Sequence, residues 1–383
     1  MLKILIIVDY YLPGYKGGGP IRTIANLVDW LGDEFNFYIL TRDHDLGNEN
    51  PYSTIQPNTW TQNSNAQIYY ASSDKLALSG LQTVLNSVDF DVLYVNSFFS
   101  SLSVKIAYLR WRRLIADQPF MIAPRGEFYA GALNIKPLKK QLYLFITKRL
   151  RWYRNVKWVA STPEETATLK AIFPNATDIH IAPNLTAKTL PPLPEEIAPK
   201  EDKTRIVFFS RISPKKNLDG ALRLLHEVDQ PLEFDIYGTL EDSGYWQTCQ
   251  HLMATLPAHI SATYKGALQP EDVTATLANY HLMLFPTHGE NFGHVIWEAL
   301  YAGVPVLISD QTPWHDIEQA GVGWEVALDD RAGYVERINH LIRMDDAEFT
   351  KLSRRAHTYA IQVAHDEAVL QANRRLFLNI MNG

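Results

Sequence analysis

The sequence predicts an α/β protein of two doubly wound domains in tandem, each a parallel sheet with helical crossovers. Short apolar runs typical of buried strands alternate with stretches of helical period along almost the whole chain. A Pro- and acid-rich segment without apolar period interrupts this alternation between Lys188 and Lys203. The length of 383 residues exceeds one ordinary core and fits two domains.

The first domain is predicted over residues 1–186. KILIIVDYY (3–11), bounded by Pro and Gly, is typical of a strand buried on both faces. PIRTIANLVDWLG starts with Pro20, ends at Gly32 and has its apolar residues on one face, which predicts a helix. Later strands are predicted at FNFYILTRD, QIYYAS, DVLYVNSF, PFMIAPRG and VKWVAST.

A linker is predicted over 187–203 and a second domain over 204–365, where the alternation restarts. Strands are expected at RIVFFSR, LEFDIYG, ISATYKG, HLMLFPT, PVLISD and GWEVAL, with helices such as LDGALRLLHEV and EDVTATLANY between them. Ligands in such sheets bind beyond the carboxyl ends of the strands. Residues 366–383 carry many large apolar side chains, so we expect a helix that docks on the first domain.

Composition limits the function classes. With 46% hydrophobic and 20% charged residues and no low-complexity tract, the chain has a globular composition, and disorder is a poor explanation for any long segment. The single cysteine excludes an internal disulfide and favours a reducing compartment, so we expect a cytoplasmic protein. The apolar start is too short to span a membrane and lacks a cleavage site. The net charge of −6 divides into +4 for 1–186 and −10 for 187–383, which suggests that one half meets an anionic surface.

The stretch HGENFGHVIWEAL (288–300) combines a predicted strand end, two glycines and a helix from about Phe292 to Tyr301. The amides of Asn291, Phe292, Gly293 and His294 would favour a diphosphate. Glu298 would lie about 9 Å further along, the reach from a diphosphate to a ribose. Glu290, on the other side of the amides, is placed to hold sugar hydroxyls. The alternative is that Glu290 caps the helix and Glu298 is solvated.

A diphosphate also needs cations. Arg211 follows the strand IVFFSR, and Lys216 comes five residues later in RISPKKN. Both can reach a leaving diphosphate and stabilise its developing charge, Arg211 in a bidentate manner and Lys216 as a point charge. A basic surface loop is the alternative.

The segments RISPKKN, GENFGHVIWEAL, AGVPVLISD and YLPGYKGGGP together resemble the retaining glycosyltransferases of family four. These enzymes have the GT-B fold, in which two Rossmann-like domains face a central cleft. The resemblance covers nearly the whole chain, most specifically residues 205–310. It implies a UDP- or GDP-sugar donor in the C-terminal domain, a glycan or lipid-linked acceptor mainly on the N-terminal domain, and no metal or other cofactor. A role in bacterial cell-surface polysaccharide or lipopolysaccharide biosynthesis is the family-level expectation.

The resemblance also implies roles for single residues. Arg211 and Lys216 would bind the donor diphosphate, Glu298 the ribose and Glu290 the donor sugar. The backbone at Phe292, Gly293 and His294 would line the sugar and phosphates. The base would lie against Tyr264, Lys265, Gly266 and Ala267. The glycine loop of the opposite domain would approach the donor through Gly17, Gly18 and Gly19, although three glycines are also typical of a flexible turn.

One position departs from the pattern of the family. Many members have a histidine near the reaction centre where MIAPRGEF places Arg125. Arginine cannot act as a base at neutral pH. Arg125 is therefore expected to orient the acceptor or stabilise charge, or else to pair with Glu127. The expected reaction is a front-face displacement in which the leaving phosphate helps to deprotonate the acceptor.

The stretch from Ala130 to Trp158 contains no acid but many lysines, arginines and large apolar residues. A basic amphipathic helix within 134–158 is suited to an anionic membrane surface, which would make the protein peripheral at the inner face of the cell membrane. The alternatives are a helix that packs on the sheet with solvated lysines, or one that binds an anionic acceptor. Overall acidity and the lack of a nucleic-acid motif argue against nucleic acid.

Four other functions compete. An NAD-dependent enzyme would use the glycine loop and Asp43, but the third glycine position counted from Gly17 holds Arg22. A metal-dependent transferase would use the triplet DHD at 43–45, which also suits a solvated loop. A sugar-nucleotide epimerase of the same fold and a non-catalytic sugar-nucleotide-binding protein remain open.

Overall fold

The structure, a computed structural model, describes residues 1–63, 65–190, 192 and 203–380. It divides into two compact units, the first formed by Met1–Lys188 with Glu367–Gly383 and the second by Thr189–Asp366. The predicted linker at 187–203 falls largely outside the described residues. Each unit contains a parallel sheet with helical crossovers, which confirms the predicted fold class.

The described part of the first unit forms an eight-stranded sheet in the order β3-β4-β2-β1-β5-β6-β7-β8. All neighbours are parallel except β3 and β4. The strands are β1 (Lys3–Ile7), β2 (Asn36–Arg42), β3 (Trp60–Asn63), β4 (Ala66–Ala71), β5 (Val92–Val95), β6 (Phe120–Ile122), β7 (Val156–Ala160) and β8 (Ile179–Ile181). The helices are α1 (Gly19–Leu31), α2 (Leu78–Asn86), α3 (Ser101–Trp111), α4 (Ala130–Leu133), α5 (Pro137–Arg149), α6 (Pro163–Ile172) and the late α14 (Glu367–Leu378).

The sequence does not predict the two edge strands β3 and β8. WTQN in β3 is polar and mostly exposed, and IHI in β8 has only three residues. Such strands are held by backbone pairing with a neighbour, so they carry no apolar period that a sequence reading could detect.

Both faces of the first sheet are buried, as the continuous apolar run of β1 predicts. Ile4 and Ile6 point into one cluster, which includes residues of α1 and α14. Leu5 and Ile7 point into the other, which includes residues of α2 and α3. Alternate residues of a strand face opposite sides, so a strand covered on both sides must be apolar throughout.

Helix α14 packs on the first sheet although it comes at the end of the chain. Phe377 is fully buried, and its ring lies edge-on to the rings of Phe35 and Tyr94 at centroid distances of 5.4 and 6.0 Å. Arg374 donates two hydrogen bonds to the carboxylate of Glu34, at 2.6 and 2.7 Å. Apolar burial and a bidentate ion pair thus fix the helix in this unit.

The described part of the second unit forms a six-stranded parallel sheet in the order β11-β10-β9-β12-β13-β14. Its strands are β9 (Thr204–Phe209), β10 (Leu232–Tyr237), β11 (Ile260–Gly266), β12 (Leu282–Phe285), β13 (Val306–Ser309) and β14 (Gly323–Val326). Its helices are α7 (Leu218–Leu225), α8 (Ser243–Ala254), α9 (Val273–Leu277), α10 (His294–Tyr301), α11 (Ile317–Ala320), α12 (Arg331–Arg343) and α13 (Asp346–Ala364).

The strand order of the second sheet reverses between β9 and β12, and that of the first between β1 and β5. Connections on the two sides of such a point run in opposite directions and leave a crevice at the carboxyl ends of the strands. Each unit therefore has one position where a ligand site is expected. No helix in the part of the chain that the structure describes is long and apolar enough to cross a membrane.

Candidate active site

The switch point of the second sheet holds a buried ion pair between Lys216 and Glu290. Lys216 ends the short 3-10 turn Pro214–Lys216 that follows β9, and Glu290 lies in the loop that follows β12. The ammonium contacts the Glu290 carboxylate, and each side chain is only 10% exposed. Two residues predicted to act on one donor are thus adjacent in the structure.

Hydrogen bonds between the two loops hold the pair in place. Asn217, in left-handed conformation with φ +60°, accepts from the amide of Gly220 to cap α7 and donates to the carbonyl of Pro286 at 2.7 Å. Thr287 Oγ1 donates to Glu290 Oε1 at 3.2 Å. Ser309 Oγ, at the end of β13, donates to the carbonyl of Thr287 at 2.6 Å. The loops after three neighbouring strands are therefore tied together around the carboxylate.

Burial and neighbouring charges set the ionisation of the pair. Burial acts to raise the pKa of Glu290, but the positive charges of Lys216, Lys215 and Arg211 outweigh it and hold the pKa below the ordinary 4.5. Burial lowers the pKa of Lys216, and the charge of Glu290 offsets part of that shift. At neutral pH, Glu290 is an ionised acceptor.

Arg211 lies at the same edge of the sheet, directly after β9, and forms an ion pair with Glu241. Sequence reasoning missed Glu241, which belongs to the loop after β10. That loop runs beside the Arg211 loop, since Ile212 N donates to Thr239 O at 2.8 Å and Glu241 N donates to Ile212 O at 3.2 Å. Arg211 is thus held beside the buried pair by the neighbouring strand.

The close approach of these loops requires a glycine at position 238. Gly238 has φ +152°, and a Cβ there would lie 1.7 Å from the carbonyl oxygen of Ser210. No side chain fits without moving the backbone that carries Arg211.

Helix α10 begins at His294, two residues later than predicted. Gly289 at φ +152° and Gly293 at φ +81° keep the preceding chain out of helical conformation. The first hydrogen bonds run from Ile296 N and Trp297 N to Gly293 O, at 2.8 and 3.3 Å. Amides at the start of the helix consequently have no acceptor within it and, with the helix dipole, favour an anion.

Glu298 is buried within α10. It lies four residues after His294, so the rise between the helix start and this carboxylate is about 6 Å rather than the 9 Å expected. The alternative of a solvated helix residue does not apply. Asn291 and Phe292 precede the helix, and Trp314 Nε1 fixes this turn by donating to the carbonyl of Phe292 at 2.5 Å. Sequence reasoning missed Trp314, in the loop after β13.

The residues expected to lie against the base are at the end of β11. Tyr264 donates to the carbonyl of Gly238 at 2.8 Å, and its ring lies 4.7 Å from that of Trp246 on α8. Lys265 forms an ion pair with Asp235 at 3.6 Å. Gly266 has φ +88° and Ala267 follows it. Because β11 is two strands from β9, these residues lie about 10 Å from the switch point. Trp246 is a further aromatic residue that the sequence did not indicate.

In the first unit, the glycine loop follows β1 at the switch point. Gly17 and Gly18 precede α1, which begins at Gly19, and Gly18 has φ +69°. The buried carboxylate of Asp45 accepts from the amides of Tyr15 and Lys16 at 2.9 and 3.1 Å, so it anchors this loop.

The same contacts bear on the rival interpretation of DHD as a metal site. Asp45 also accepts from the amide of Leu46 at 2.8 Å, and Asp43 contacts the ring of His44 at 2.7 Å. Both carboxylates are thus directed at partners within their own loop and its neighbour. Among the described residues, no group of three or more His, Cys, Asp or Glu side chains is arranged as a set of metal ligands.

Arg125 follows β6 at the same edge of the first sheet, in left-handed conformation with φ +53°. Its guanidinium donates to the side chains of four neutral residues at 2.6 to 2.9 Å, which are Asn96, Ser161, Asn184 and Tyr94. Glu127 is not its partner in these bonds, because that carboxylate accepts from Ser97 and from the amides of Phe98 and Phe99. Since the acceptors of Arg125 are neutral, its positive charge is not neutralised by them.

Glu165 stabilises the turn that carries Arg125 by hydrogen bonds to backbone amides. This fully buried carboxylate accepts from the amides of Gly126 and Ser161, at 2.5 and 2.7 Å. It thereby joins the ends of β6 and β7. Sequence reasoning missed it because the acid belongs to α6, whose other acids suggest an ordinary helix start.

Comparison with known proteins finds a family model that matches most of the second unit. Residues 192–363 match the family described as glycosyl transferases group 1. No curated protein sequence matches the chain significantly.

Solved structures of low sequence identity share the fold over the whole chain. The sucrose-phosphate synthase of Thermosynechococcus elongatus is 15% identical with a TM-score of 0.74, and all of each chain is covered. HepE of Anabaena, in complex with UDP-glucose, is 15% identical with a TM-score of 0.72 and the same coverage. WaaG, a glycosyltransferase involved in lipopolysaccharide biosynthesis, is 14% identical with a TM-score of 0.62, covering 99% of this chain and 100% of its own. The chain therefore has the GT-B fold, and its residues 192–363 are similar to the glycosyl transferases group 1.

Proposed function

We propose that this protein is a glycosyltransferase that moves a sugar from a UDP- or GDP-sugar to a hydroxyl of a glycan or lipid-linked acceptor, with retention of anomeric configuration and without a metal ion. The observation that carries the proposal is the buried Lys216–Glu290 pair, which lies at the switch point of the second sheet. It joins a cation suited to a phosphate and a carboxylate suited to sugar hydroxyls at one position.

The donor is held by residues of the second unit. Lys216 and Arg211, with the amides that begin α10, bind the diphosphate. Glu298 accepts from the ribose hydroxyls, and Glu290 accepts from hydroxyls of the transferred sugar. Tyr264 to Ala267 line the base. Lys216 has three donors, so it can contact a phosphate oxygen while it keeps its bond to Glu290.

The chemistry follows from the charges of these groups. The acceptor oxygen bonds to the anomeric carbon, the bond from that carbon to the diphosphate breaks, and the acceptor proton passes to the leaving phosphate. Arg211 and Lys216 stabilise the negative charge that develops on the leaving group, a task for which these two cations need no metal. Glu290, whose pKa is held low, stays a carboxylate and orients the sugar instead of donating a proton.

Arg125 serves the acceptor side. Its charge at the carboxyl edge of the first sheet, held by four neutral groups, is suited to orient an acceptor oxygen or to stabilise negative charge near it. HepE binds UDP-glucose and WaaG acts in lipopolysaccharide biosynthesis. These relatives support a UDP-sugar donor and a role in cell-surface polysaccharide or lipopolysaccharide synthesis. The cysteine usage supports a cytoplasmic location.

A thermal-shift panel of UDP- and GDP-sugars tests donor binding. A donor at a hundred times its Kd stabilises the folded state by about 2.7 kcal/mol, so a clear rise in melting temperature is expected for one nucleotide and not the other. No shift with any nucleotide sugar, but a shift with NAD, would contradict the proposal.

Turnover with the selected donor separates the remaining alternatives. Transfer that persists in EDTA and yields a product of the donor's anomeric configuration, seen by NMR, is expected. Conversion of the donor to its epimer without an acceptor would identify an epimerase. Donor binding without transfer or slow donor hydrolysis would identify a binding protein.

A further inference from the structure

Helix α5 presents apolar side chains on two opposite faces. Its inner face packs on the first unit through Tyr143, whose ring lies 5.7 Å from that of Phe98, and through the buried Thr147. Packing on the first unit explains why the inner face of α5 is apolar. It does not explain why the outer face is apolar as well.

The outer face carries a stripe of large apolar residues in solvent. Leu138, Leu142 and Phe145 are 80%, 60% and 68% exposed. Their spacing of four and three residues places them on one side of the helix. Ile135, Ile146 and Leu150 extend the exposed apolar surface at 50%, 39% and 45%. A helix that only covers the sheet would be polar here, and a contiguous exposed apolar patch marks an interaction surface.

Basic side chains surround this stripe. Lys136, Lys139, Lys148 and Arg149 are exposed, and no acidic residue occurs anywhere from 130 to 158. The exposed Leu240, by contrast, follows β10 in the second unit, which is rich in acids. An apolar stripe flanked by cations matches the chemistry of an anionic lipid surface, where acyl chains lie beneath phosphates.

We propose that the outer face of α5 docks on an anionic phospholipid bilayer, with the helix parallel to the membrane plane. Leu138, Leu142 and Phe145 insert at the boundary between headgroups and acyl chains, while the lysines contact phosphates. The 13 residues of α5 span only about 20 Å, too short to cross a bilayer. A second copy of this chain would bring like charges together, and a soluble acidic glycan would leave the apolar stripe in water. This docking goes beyond the transfer reaction and does not depend on which donor is used.

Vesicle flotation with the full chain tests the proposal. The wild type should float with vesicles that contain phosphatidylglycerol at low salt, should bind less at high salt because exposed charges are screened, and should bind weakly to pure phosphatidylcholine. The double variant L142S/F145S should lose about tenfold or more in partitioning. Each of K139Q and R149Q should lose about fivefold.

Leu78→Ser is the matched control, because Leu78 is also a half-exposed leucine on a helix of the first unit, and it should partition like the wild type. The substituted side chains are exposed, so melting temperature and nucleotide-sugar binding should not change in any of these variants. The proposal is overturned if the wild type does not float with anionic vesicles at low salt, or if L142S/F145S floats as well as the control. Binding to a soluble acidic polysaccharide without binding to vesicles would assign the surface to an acceptor instead.

Discussion

Removing the Lys216–Glu290 pair in steps separates its contribution to stability from its contribution to transfer. The perturbations are Glu290→Gln, Lys216→Met and the double variant K216M/E290L. Taking one partner from a buried pair leaves the other charge without compensation and costs about 3–5 kcal/mol, whereas replacing both by apolar residues is often neutral. Because each side chain keeps 10% exposure, we expect the lower end of that range for the single variants.

A loss of about 3 kcal/mol in a unit of this size corresponds to a fall of about 6–12 °C in melting temperature. Calorimetry should show that fall for each single variant and a value near the wild type for the double variant. Transfer, followed by release of the nucleoside diphosphate, should fall about 10²- to 10³-fold or more in all three, because each loses a group that stabilises or orients the reacting atoms. The reasoning is refuted if a single variant has the same melting temperature as the wild type, or if the double variant transfers sugar at the wild-type rate.

The pair also fixes the sign of a pH effect. The folded-state pKa of Glu290 lies below its ordinary 4.5, so the carboxylate stabilises the fold fully above about that pH and loses this contribution as pH falls through the folded-state pKa. The difference in melting temperature between the wild type and E290Q should therefore be constant from neutral pH down to about pH 5 and should narrow in stronger acid. A difference that widened in acid would contradict this assignment.

Three further predictions concern the surrounding structure. G238A should destabilise the second unit more than G266A by thermal unfolding, because both glycines have positive φ but only a Cβ at Gly238 meets backbone, at 1.7 Å, while one at Gly266 meets nothing within 4 Å; equal effects would argue against the contact. D45A should loosen the glycine loop and speed tryptic cleavage after Lys16, since the hydrogen bonds from the amides of Tyr15 and Lys16 to the Asp45 carboxylate are lost; an unchanged cleavage rate would count against this anchoring role. F377A should cost about 3–5 kcal/mol in denaturant unfolding of the first unit because a fully buried ring leaves a cavity; a loss under 1 kcal/mol would contradict its place in the core.

Local sequence signals were sufficient for most of the fold. Parallel strands buried on both faces are continuous apolar runs, and crossover helices have a 3.6-residue period, so β1, α1 and the strands of the second unit are predicted within a few residues. The edge strands β3 and β8 were not predicted, because their pairing uses backbone groups and needs no apolar side chains.

Part of the candidate site was also predicted from local signals. Lys216 and Glu290 each lie in the segment that follows a strand, and the regions beyond strand ends are where ligands bind in this fold class. Their contact was not predicted, because the two residues are 74 positions apart and meet only through the order in which β9 and β12 pair. Glu241 and Trp246 were missed likewise: both come from elements whose own sequence has no unusual feature.

For some side chains the sequence left several partners open, and the structure shows which partner each one contacts. The triplet at 43–45 suggested a metal site or a solvated loop, and Asp45 instead binds the amides of the glycine loop. Arg125 was expected to act on the acceptor or to pair with Glu127, and it is held by four neutral groups from neighbouring strands. Both cases depend on loops from separate strands converging at one edge of a sheet.

The two-sheet architecture, the positions of the glycine turns and the charges at the strand ends could all be predicted from short segments of the chain, because periodicity, backbone conformation and residue chemistry are local properties. Which charges meet and which apolar residues stay in solvent depends on how distant segments pack together. The basic helix shows the difference: its composition allowed a packed face or a binding face, and the fold buries Tyr143 while it leaves Leu138, Leu142 and Phe145 outside. Burial depends on which neighbour covers a surface, and that is set by strand order and helix packing rather than by any single segment.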